Sequence, residues 1–412
     1  MPSKRAAWIG MFWALYTIRG GSDEGAKVWR EKIFPEDRRA EVKVDGAYEV
    51  IVLAEAGQVA AAESAVRQHG SAPFPGGIQR ARLELIEGIA AKASGAGIKA
   101  LAESKGIARI WMVPRDLFEN YVRIIQGLGY VVATDPGPGP INLSLGPPSG
   151  MLPMPFQEGE PLNLATRRAA AAGKLTIVSA GNDGPKPDTL NPWCLADWVL
   201  CVGAAAVVSQ KAVPWEKSSR GRPRDSRYRP GVLALGVDVL TTHPSAVPKT
   251  EEMKAAERRV GFDRMVAPEK RSAYTIVSGT SFATPDVSKS AAQIVFFLQK
   301  ALAVAEEEKD KAEPTMATLY THFRLAERDE LVRTKRFAGT IKDVGGAVVA
   351  IYPLRPDDPL VVKQILLDAA IPMPGFGTNE VGSGLVTSDH IAKLFGKFGL
   401  WDPKLLPVKV ID

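Results

Sequence analysis

The stretch SGTSFATP, residues 278–285, carries most of the information about the fold. A serine, Ser281, follows Gly279 and Thr280, and a long apolar pattern with helical period follows the serine. Such a pattern indicates a strand that leads directly into a helix. A serine at the start of a helix is usually an N-cap, so the stretch alone does not establish any chemistry. It does raise the question of which residue would accept the proton of Ser281.

Apolar runs of strand length alternate with helical segments along the chain outside this stretch. Such alternation predicts an α/β fold with a mostly parallel sheet, helices on both faces, and a site beyond the carboxyl ends of the strands. Strands are predicted at residues 49–55, 108–113, 141–146, 175–181 and 198–206, and helices at 58–68, 78–93, 120–128 and 162–174.

The composition is that of an ordinary globular protein. The chain has 412 residues, a net charge of +6 and an apolar fraction of 45%. Its basic cluster RGRPRDSRYR, residues 220–229, is typical of a solvated loop, and no nucleic-acid partner is expected. Cys194 and Cys201 have neither a metal-site spacing nor that of a disulfide framework, which predicts two buried free thiols. No cofactor is expected.

The predicted domain organisation has one large domain between two terminal segments. The N-terminal extension covers residues 1–44, the domain covers 45–397 with charged insertions near 249–271 and 306–336, and a tail covers 398–412. Residues 6–18 are apolar but too few to span a bilayer as an ordinary helix. They fit a packed helix, or else a secretion or anchor segment. The sequence favours a cytoplasmic protein and leaves export or anchoring open through this segment.

Three stretches, in this order, resemble the subtilase (subtilisin-like) family of serine peptidases. GTSFATP (279–285) is similar to the nucleophile motif of that family, SAGN (179–182) to its oxyanion-asparagine motif, and SLG (144–146) to its substrate-pairing strand. The resemblance covers most of residues 45–397 and implies a three-layer fold with a sheet of about seven strands. It implies Ser281 as nucleophile and Asn182 as oxyanion donor. The residues that it places along the substrate cleft are Ser144, Leu145, Gly146, Ser179, Ala180 and Gly181.

The aspartate and histidine motifs of that family are absent from the chain. Glu55, in VIVLAEAG (50–57), is the candidate for the aspartate, because it places a carboxylate at the end of a predicted strand. The helix expected to carry the histidine is ARLELIEGIAAKASG (81–95), and no histidine lies near its beginning at Arg82.

Several alternatives for the missing base stay open. His69 has the right order in the chain, although it lies at the end of a predicted helix. Glu84 and Glu87 are three residues apart on one face of a predicted helix and would give a carboxylate base, as in the related sedolisins. A partner chain would be a further source of the base. Residues 48–114 also fit a propeptide-like βαβ domain. In that case too few residues would remain before SLG (144–146) to carry the aspartate and the histidine.

These observations predict a subtilase homologue that binds an extended peptide or a partner protein without hydrolysing it. The alternative is an active serine endopeptidase with a divergent or partner-supplied base.

Overall fold

The computed structural model divides the chain into two compact units, residues 1–126 and 127–412. The span 45–397, predicted as one domain, therefore contains parts of both. The residues that the structure describes are 28–72, 77, 81–147, 156–225, 229–308, 319–321, 340–344, 347–352 and 357–396. The apolar segment 6–18 and the tail 398–412 lie outside them.

The first unit, called unit 1 below, is built around a five-stranded sheet. Its elements are α1 (Val28–Glu31), β1 (Ile33–Phe34), β2 (Ala47–Ala54), α2 (Val59–His69), β3 (Arg82–Leu83), β4 (Gly88–Ser94), α3 (Gly95–Glu103), β5 (Ile107–Val113) and α4 (Arg115–Thr134), the last of which crosses the division. The strand order is β1-β5-β2-β4-β3, and β2 is antiparallel to both of its neighbours. Residues 28–44, predicted as part of an extension, contribute β1 to this sheet.

The helix predicted at residues 78–93 is wrong. This stretch forms β3, a short 3-10 turn at Glu84–Ile86, and β4. Glu84 and Glu87 therefore do not share a helix face; Glu87 adopts a left-handed backbone conformation with φ of 52°. From β2 to β5 the order of elements is β-α-β-β-α-β, and the interpretation of residues 48–114 as a propeptide-like domain stays a prediction.

The second unit, unit 2, holds the predicted nucleophile. Its elements are β6 (Gly139–Leu143), α5 (Pro161–Ala171), β7 (Lys174–Ser179), β8 (Val199–Val208), β9 (Lys211–Pro214), β10 (Val232–Leu235), β11 (Val239–Thr242), α6 (Glu251–Val260), α7 (Phe262–Met265), β12 (Tyr274–Val277), α8 (Thr280–Glu308), β13 (Leu319–Thr321), β14 (Thr340–Val344), β15 (Ala347–Tyr352), α9 (Pro359–Asp368), α10 (Thr378–Val381) and α11 (Ser388–Gly396).

The main sheet of unit 2 is parallel apart from one strand. Its order is β10-β8-β7-β6, all parallel, and β9 pairs antiparallel with β8. Leu175 and Ile177 of β7 join a buried cluster with residues of α8 and α9. The alternate β7 residues point to the opposite face, where α5 packs against the strand. The predicted α/β fold with helices on both faces is thus confirmed.

The number of strands differs from the expected seven. Among the described residues this sheet has four parallel strands and one antiparallel strand. Two strands expected to belong to it, predicted at 49–55 and 108–113, form β2 and β5 of unit 1 and pair with each other in an antiparallel sheet. The insertion near 249–271 is helical, as predicted, and contains α6 and α7.

Cys194 and Cys201 form a disulfide, so the prediction of two free thiols is wrong. Cys194 ends a short 3-10 turn that starts at Pro192, and Cys201 lies in β8. This turn brings the chain back beside β8, and so it brings the sulfur atoms of Cys194 and Cys201 together. In the part of the chain that the structure describes, no helix has the length and apolarity to cross a membrane.

Candidate functional site

Ser281 lies at the amino end of α8, as the sequence predicted. β12 ends at Val277, Ser278 and Gly279 follow, and the helix begins at Thr280. The Gly279 N–H donates to the carbonyl of Gly236 at 2.8 Å, and a Cβ added to Gly236 would lie 2.7 Å from the Gly279 carbonyl oxygen. This close backbone contact holds the turn before the serine. Ser281 itself is partly buried.

The hydroxyl of Ser281 hydrogen-bonds to main chain rather than to a base. Its Oγ donates to the Ser144 carbonyl at 3.3 Å, and Ser144 Oγ donates back to the Ser281 carbonyl at 2.9 Å. Among the described residues of unit 2, no imidazole or carboxylate hydrogen-bonds to Ser281 Oγ. A carbonyl oxygen cannot accept a proton at ordinary pH, so this arrangement orients the hydroxyl without activating it.

Asn182 is oriented by the residue before the serine. Its Oδ1 accepts from the Thr280 N–H at 2.9 Å and from the Thr280 hydroxyl at 3.0 Å. The Thr280 hydroxyl oxygen in turn accepts from the Gly181 N–H at 3.2 Å. With both lone pairs of Oδ1 occupied, the amide is fixed and its Nδ2 donors are left for another acceptor. The role of Asn182 as oxyanion donor at Ser281 stays a prediction with which this orientation is compatible.

The two predicted cleft segments, 144–146 and 179–181, follow neighbouring parallel strands. Leu143 of β6 pairs with Val178 of β7, so the segments leave the sheet side by side. Leu145 is exposed, with 49% of its surface accessible, and Ser179 and Ala180 are buried. Gly181 has a φ of +102°, a backbone conformation that side chains rarely adopt.

Asn191, which sequence reasoning missed, ties these two segments together. Its buried side-chain amide donates to the Leu145 carbonyl at 2.8 Å and to the Ser179 carbonyl at 2.9 Å. Its Oδ1 accepts from the Trp193 N–H at 3.1 Å, and its own N–H donates to the Ala180 carbonyl at 2.8 Å. The only sequence signal is an asparagine before a proline, which predicts a turn and not this bridge.

The candidates for the missing base all lie in unit 1. Glu55 is exposed just beyond β2, and His69 is the last residue of α2. Glu84 and Glu87 flank the 3-10 turn between β3 and β4. Their roles as a base for Ser281 stay predictions.

Two of the other histidines are described. His243 is 9% exposed, and its Nε2 contacts the Val247 carbonyl at 2.8 Å. His390 lies in α11. His322 lies outside the described residues. Neither described histidine hydrogen-bonds to the serine.

Comparisons with known proteins agree with this geometry. The family model of the subtilases, peptidase family S8, matches residues 88–334. The serine protease AprX of Bacillus subtilis is 30% identical over 161 residues, which are 38% of this chain and 33% of AprX. Subtilisin DY of Bacillus licheniformis is 27% identical over 209 residues, 50% of this chain and 60% of that protein. This chain thus spans a third of one relative and three fifths of the other.

A solved structure shows a similar likeness. The crystal structure of fervidolysin from Fervidobacterium pennivorans, a keratinolytic enzyme related to subtilisin, aligns with 84% of this chain and 61% of its own, at 15% identity and a TM-score of 0.44. The family model covers more than half of the chain, including Ser144, Asn182 and Ser281. The chain belongs to the subtilase family of serine peptidases.

Proposed function

We propose that this chain binds an extended peptide in a subtilase cleft and does not hydrolyse peptides on its own. The observation that carries this proposal is the hydrogen bond of Ser281 Oγ to the Ser144 carbonyl, with no described side chain of unit 2 offering a base to the hydroxyl. A neutral serine hydroxyl is a poor nucleophile. Removing the histidine of a serine–histidine–aspartate triad lowers turnover by about 10⁶-fold.

Peptide binding does not need the base. The segment 144–146 directly follows β6, and the exposed Leu145 and Gly146 can pair main chain with a peptide by strand addition. Asn191 holds this segment against 179–181 through two amide hydrogen bonds. The cleft is therefore supported by the fold and not by a catalytic triad.

Binding and cleavage can be measured together with fluorescently labelled casein, a flexible protein substrate. We expect saturable binding by fluorescence anisotropy and intact casein on gels. Gly146→Pro, which removes a cleft N–H, should weaken binding, whereas Ser281→Ala should leave it unchanged. Casein cleavage that disappears in Ser281→Ala would contradict the proposal.

The second candidate is an active serine endopeptidase whose base comes from Glu55, His69, Glu84 or Glu87, or from a partner chain. One observation favours it: the Asn182 amide is held by Thr280 with its Nδ2 donors left for an oxyanion. Such donors contribute to catalysis only when a nucleophile attacks.

A fluorophosphonate probe distinguishes the two candidates, with Ser281→Ala as the control. Labelling of Ser281 from about pH 4 to about pH 9 would report a working base, since an imidazole base gains activity near neutrality and a carboxylate base is already active in acid. No labelling at any pH, in a folded protein, supports the pseudopeptidase.

We further infer an oxidising compartment for this chain. The Cys194–Cys201 disulfide is the observation that supports it, since disulfides persist in secreted and periplasmic proteins and are rare in the cytosol. This favours export over the cytoplasmic location expected from the sequence. Because both cysteines are buried, the test is acid quenching of intact cells followed by alkylation in denaturant: two thiols that react without reductant would contradict the inference.

A further inference from the structure

Unit 1 has a cavity at one end of its sheet. Its volume is about 570 Å³, within the usual range of cavities that hold small molecules. The first residues of β2 and the last residues of β4 and β5 line it, and these ends lie side by side because Glu49 pairs with Lys92 of β4 and with Val113 of β5. The described lining residues, between Arg38 and Arg115, all belong to unit 1, so the cavity is a feature of this unit by itself.

The charged residues of this lining are mostly basic. Three basic residues and one acidic residue line the cavity, which gives a formal excess of two positive charges: Arg38, Lys92, Arg115 and Glu49. Glu49 Oε1 forms an ion pair with Lys92 Nζ at 3.3 Å, so the acidic charge already has a partner. Arg115 is exposed, and it forms no ion pair within the described part of the chain. A negatively charged ligand would therefore meet uncompensated positive charge at Arg115.

The amino end of α4 adds to this positive charge. Arg115 is the first residue of α4, a helix of 20 residues, and Pro114, which precedes the helix, also lines the cavity. The amino end of a helix carries a partial positive charge, and its first N–H groups have no partner within the helix. The helix and the guanidinium of its first residue therefore favour an anion at the same wall of the cavity.

Part of the wall is apolar and held in place. Tyr48, Met112 and Val113 contribute to it. The Tyr48 hydroxyl accepts from the Lys43 N–H at 2.8 Å, and a Cβ added to Gly46 would lie 2.6 Å from two carbon atoms of the Tyr48 ring. The ring is thus fixed from two sides, and a fixed ring offers apolar contact at a low cost in conformational entropy. The cavity therefore favours an anion that carries an apolar group over a bare inorganic anion.

We propose that unit 1 binds a small organic anion in this cavity, namely a carboxylate or a phosphate monoester that carries an aromatic or other apolar group. Arg115 and the amino end of α4 bind the anionic group, and Lys92 contributes further positive charge. The apolar group packs against Tyr48. This binding goes beyond the peptide cleft proposed above, since it uses no residue of unit 2 and needs neither Ser281 nor a base.

Phenyl phosphate and benzoate are the probes, and isothermal titration calorimetry of the full chain, at an ionic strength of about 0.1 M, is the assay. We expect at least one of the two probes to bind at a single saturable site with a Kd below about 1 mM. Inorganic phosphate lacks the ring and benzyl alcohol lacks the charge, so each should bind at least about 10-fold more weakly than that probe.

Two arginine variants of α4 test the place of the anion. Arg115→Gln should weaken binding of the probe by at least about 10-fold, because it removes a charge-assisted hydrogen bond to the anionic group. Arg123→Gln is the matched control, since Arg123 lies on the same helix, pairs with Glu119 and does not line the cavity; its Kd should stay within about twofold of wild type. Both arginines are exposed, so both variants should fold.

Several results would overturn the proposal. These are no saturable binding of either probe up to about 10 mM, binding of inorganic phosphate or benzyl alcohol as tight as that of the probes, or equal losses in Arg115→Gln and Arg123→Gln. Amide hydrogen exchange of wild type locates the site without any variant. Protection of residues 92–94 and 112–116 by the probe supports the proposal, and protection confined to other residues contradicts it. Casein binding tests the peptide cleft separately, so failure of one proposal is distinguishable from failure of the other.

Discussion

Replacing Asn191 with alanine should destabilise unit 2 and loosen the cleft. The change removes three hydrogen bonds of a side chain that is 1% exposed, leaving the carbonyls of Leu145 and Ser179 and the N–H of Trp193 without that partner. At about 1 kcal/mol for each bond, the free energy of unfolding should fall by about 3 kcal/mol. For a unit of this size the midpoint of thermal unfolding should fall by about 6–12 °C.

Urea unfolding followed by far-UV circular dichroism, together with casein anisotropy, measures both consequences. Asn142→Ala is the matched control, because it removes an exposed asparagine of the neighbouring strand. Its two side-chain hydrogen bonds, with Ser144 Oγ and Ser288 Oγ, are more open to water than those of Asn191, and their loss should cost about 1 kcal/mol in total. We also expect Asn191→Ala to weaken casein binding more than the control does. Equal losses of stability in the two variants, or a loss below about 1 kcal/mol in Asn191→Ala, would refute the bridging role.

Three further predictions follow from other contacts. Gly181→Ala should lower stability by about 1–3 kcal/mol in a thermal melt, because φ is +102° and the new Cβ would lie 2.7 Å from Ser219 Oγ; an unchanged melt would contradict this. A hydrogen bond from the Arg82 guanidinium lowers the pKa of Glu63. The ionised Glu63 therefore stabilises unit 1 fully above its unfolded pKa of about 4.3, and this stabilisation is lost as the pH falls through the lower pKa of the folded state. Urea denaturation should therefore give Glu63→Gln a lower free energy of unfolding than wild type at neutral pH, and the difference should vanish in acid. A difference that does not change with pH would exclude the ion pair as its cause. Free imidazole should raise the fluorophosphonate labelling rate of Ser281 in proportion to its neutral form, and no response would show that the site lacks more than a base.

The sequence predicted the elements of unit 2 that position the site. Strands expected at 141–146, 175–181 and 198–206 correspond to β6, β7 and β8, each displaced by a few residues. Turn residues after β6 and β7, and the helix start at Thr280, placed Ser281, Asn182 and the cleft segments at one end of the sheet. Hydrophobic periodicity and turn-forming residues are enough to predict these elements, because strands and helices of ordinary length alternate in unit 2.

The same reasoning failed in unit 1 for a physical reason. Residues 88–94, GIAAKAS, are rich in alanine, which favours helix, yet they form β4. Ile89 to Ala91 are fully buried and pair with β2, so burial and strand pairing outweigh intrinsic propensity. Glu55 consequently follows β2, a strand with two antiparallel neighbours, and not one of the parallel strands of unit 2.

Contacts between distant residues were not readable from the sequence either. The disulfide depends on how the turn after Asn191 approaches β8, and a separation of seven residues does not determine this. The bridging role of Asn191 depends on the spacing of β6 and β7. Both contacts are products of tertiary structure.

The bonds of Thr280 have a consequence for how subtilase motifs are interpreted. Its buried hydroxyl joins Asn182 and Gly181 at the end of β7 to the start of α8. The asparagine and threonine of the two most recognisable motifs therefore help to hold the fold together, whatever happens at Ser281. Selection for folding alone would preserve them in a lineage that had stopped cleaving peptides. In this chain, Asn182 and Thr280 report an intact fold and do not by themselves report turnover.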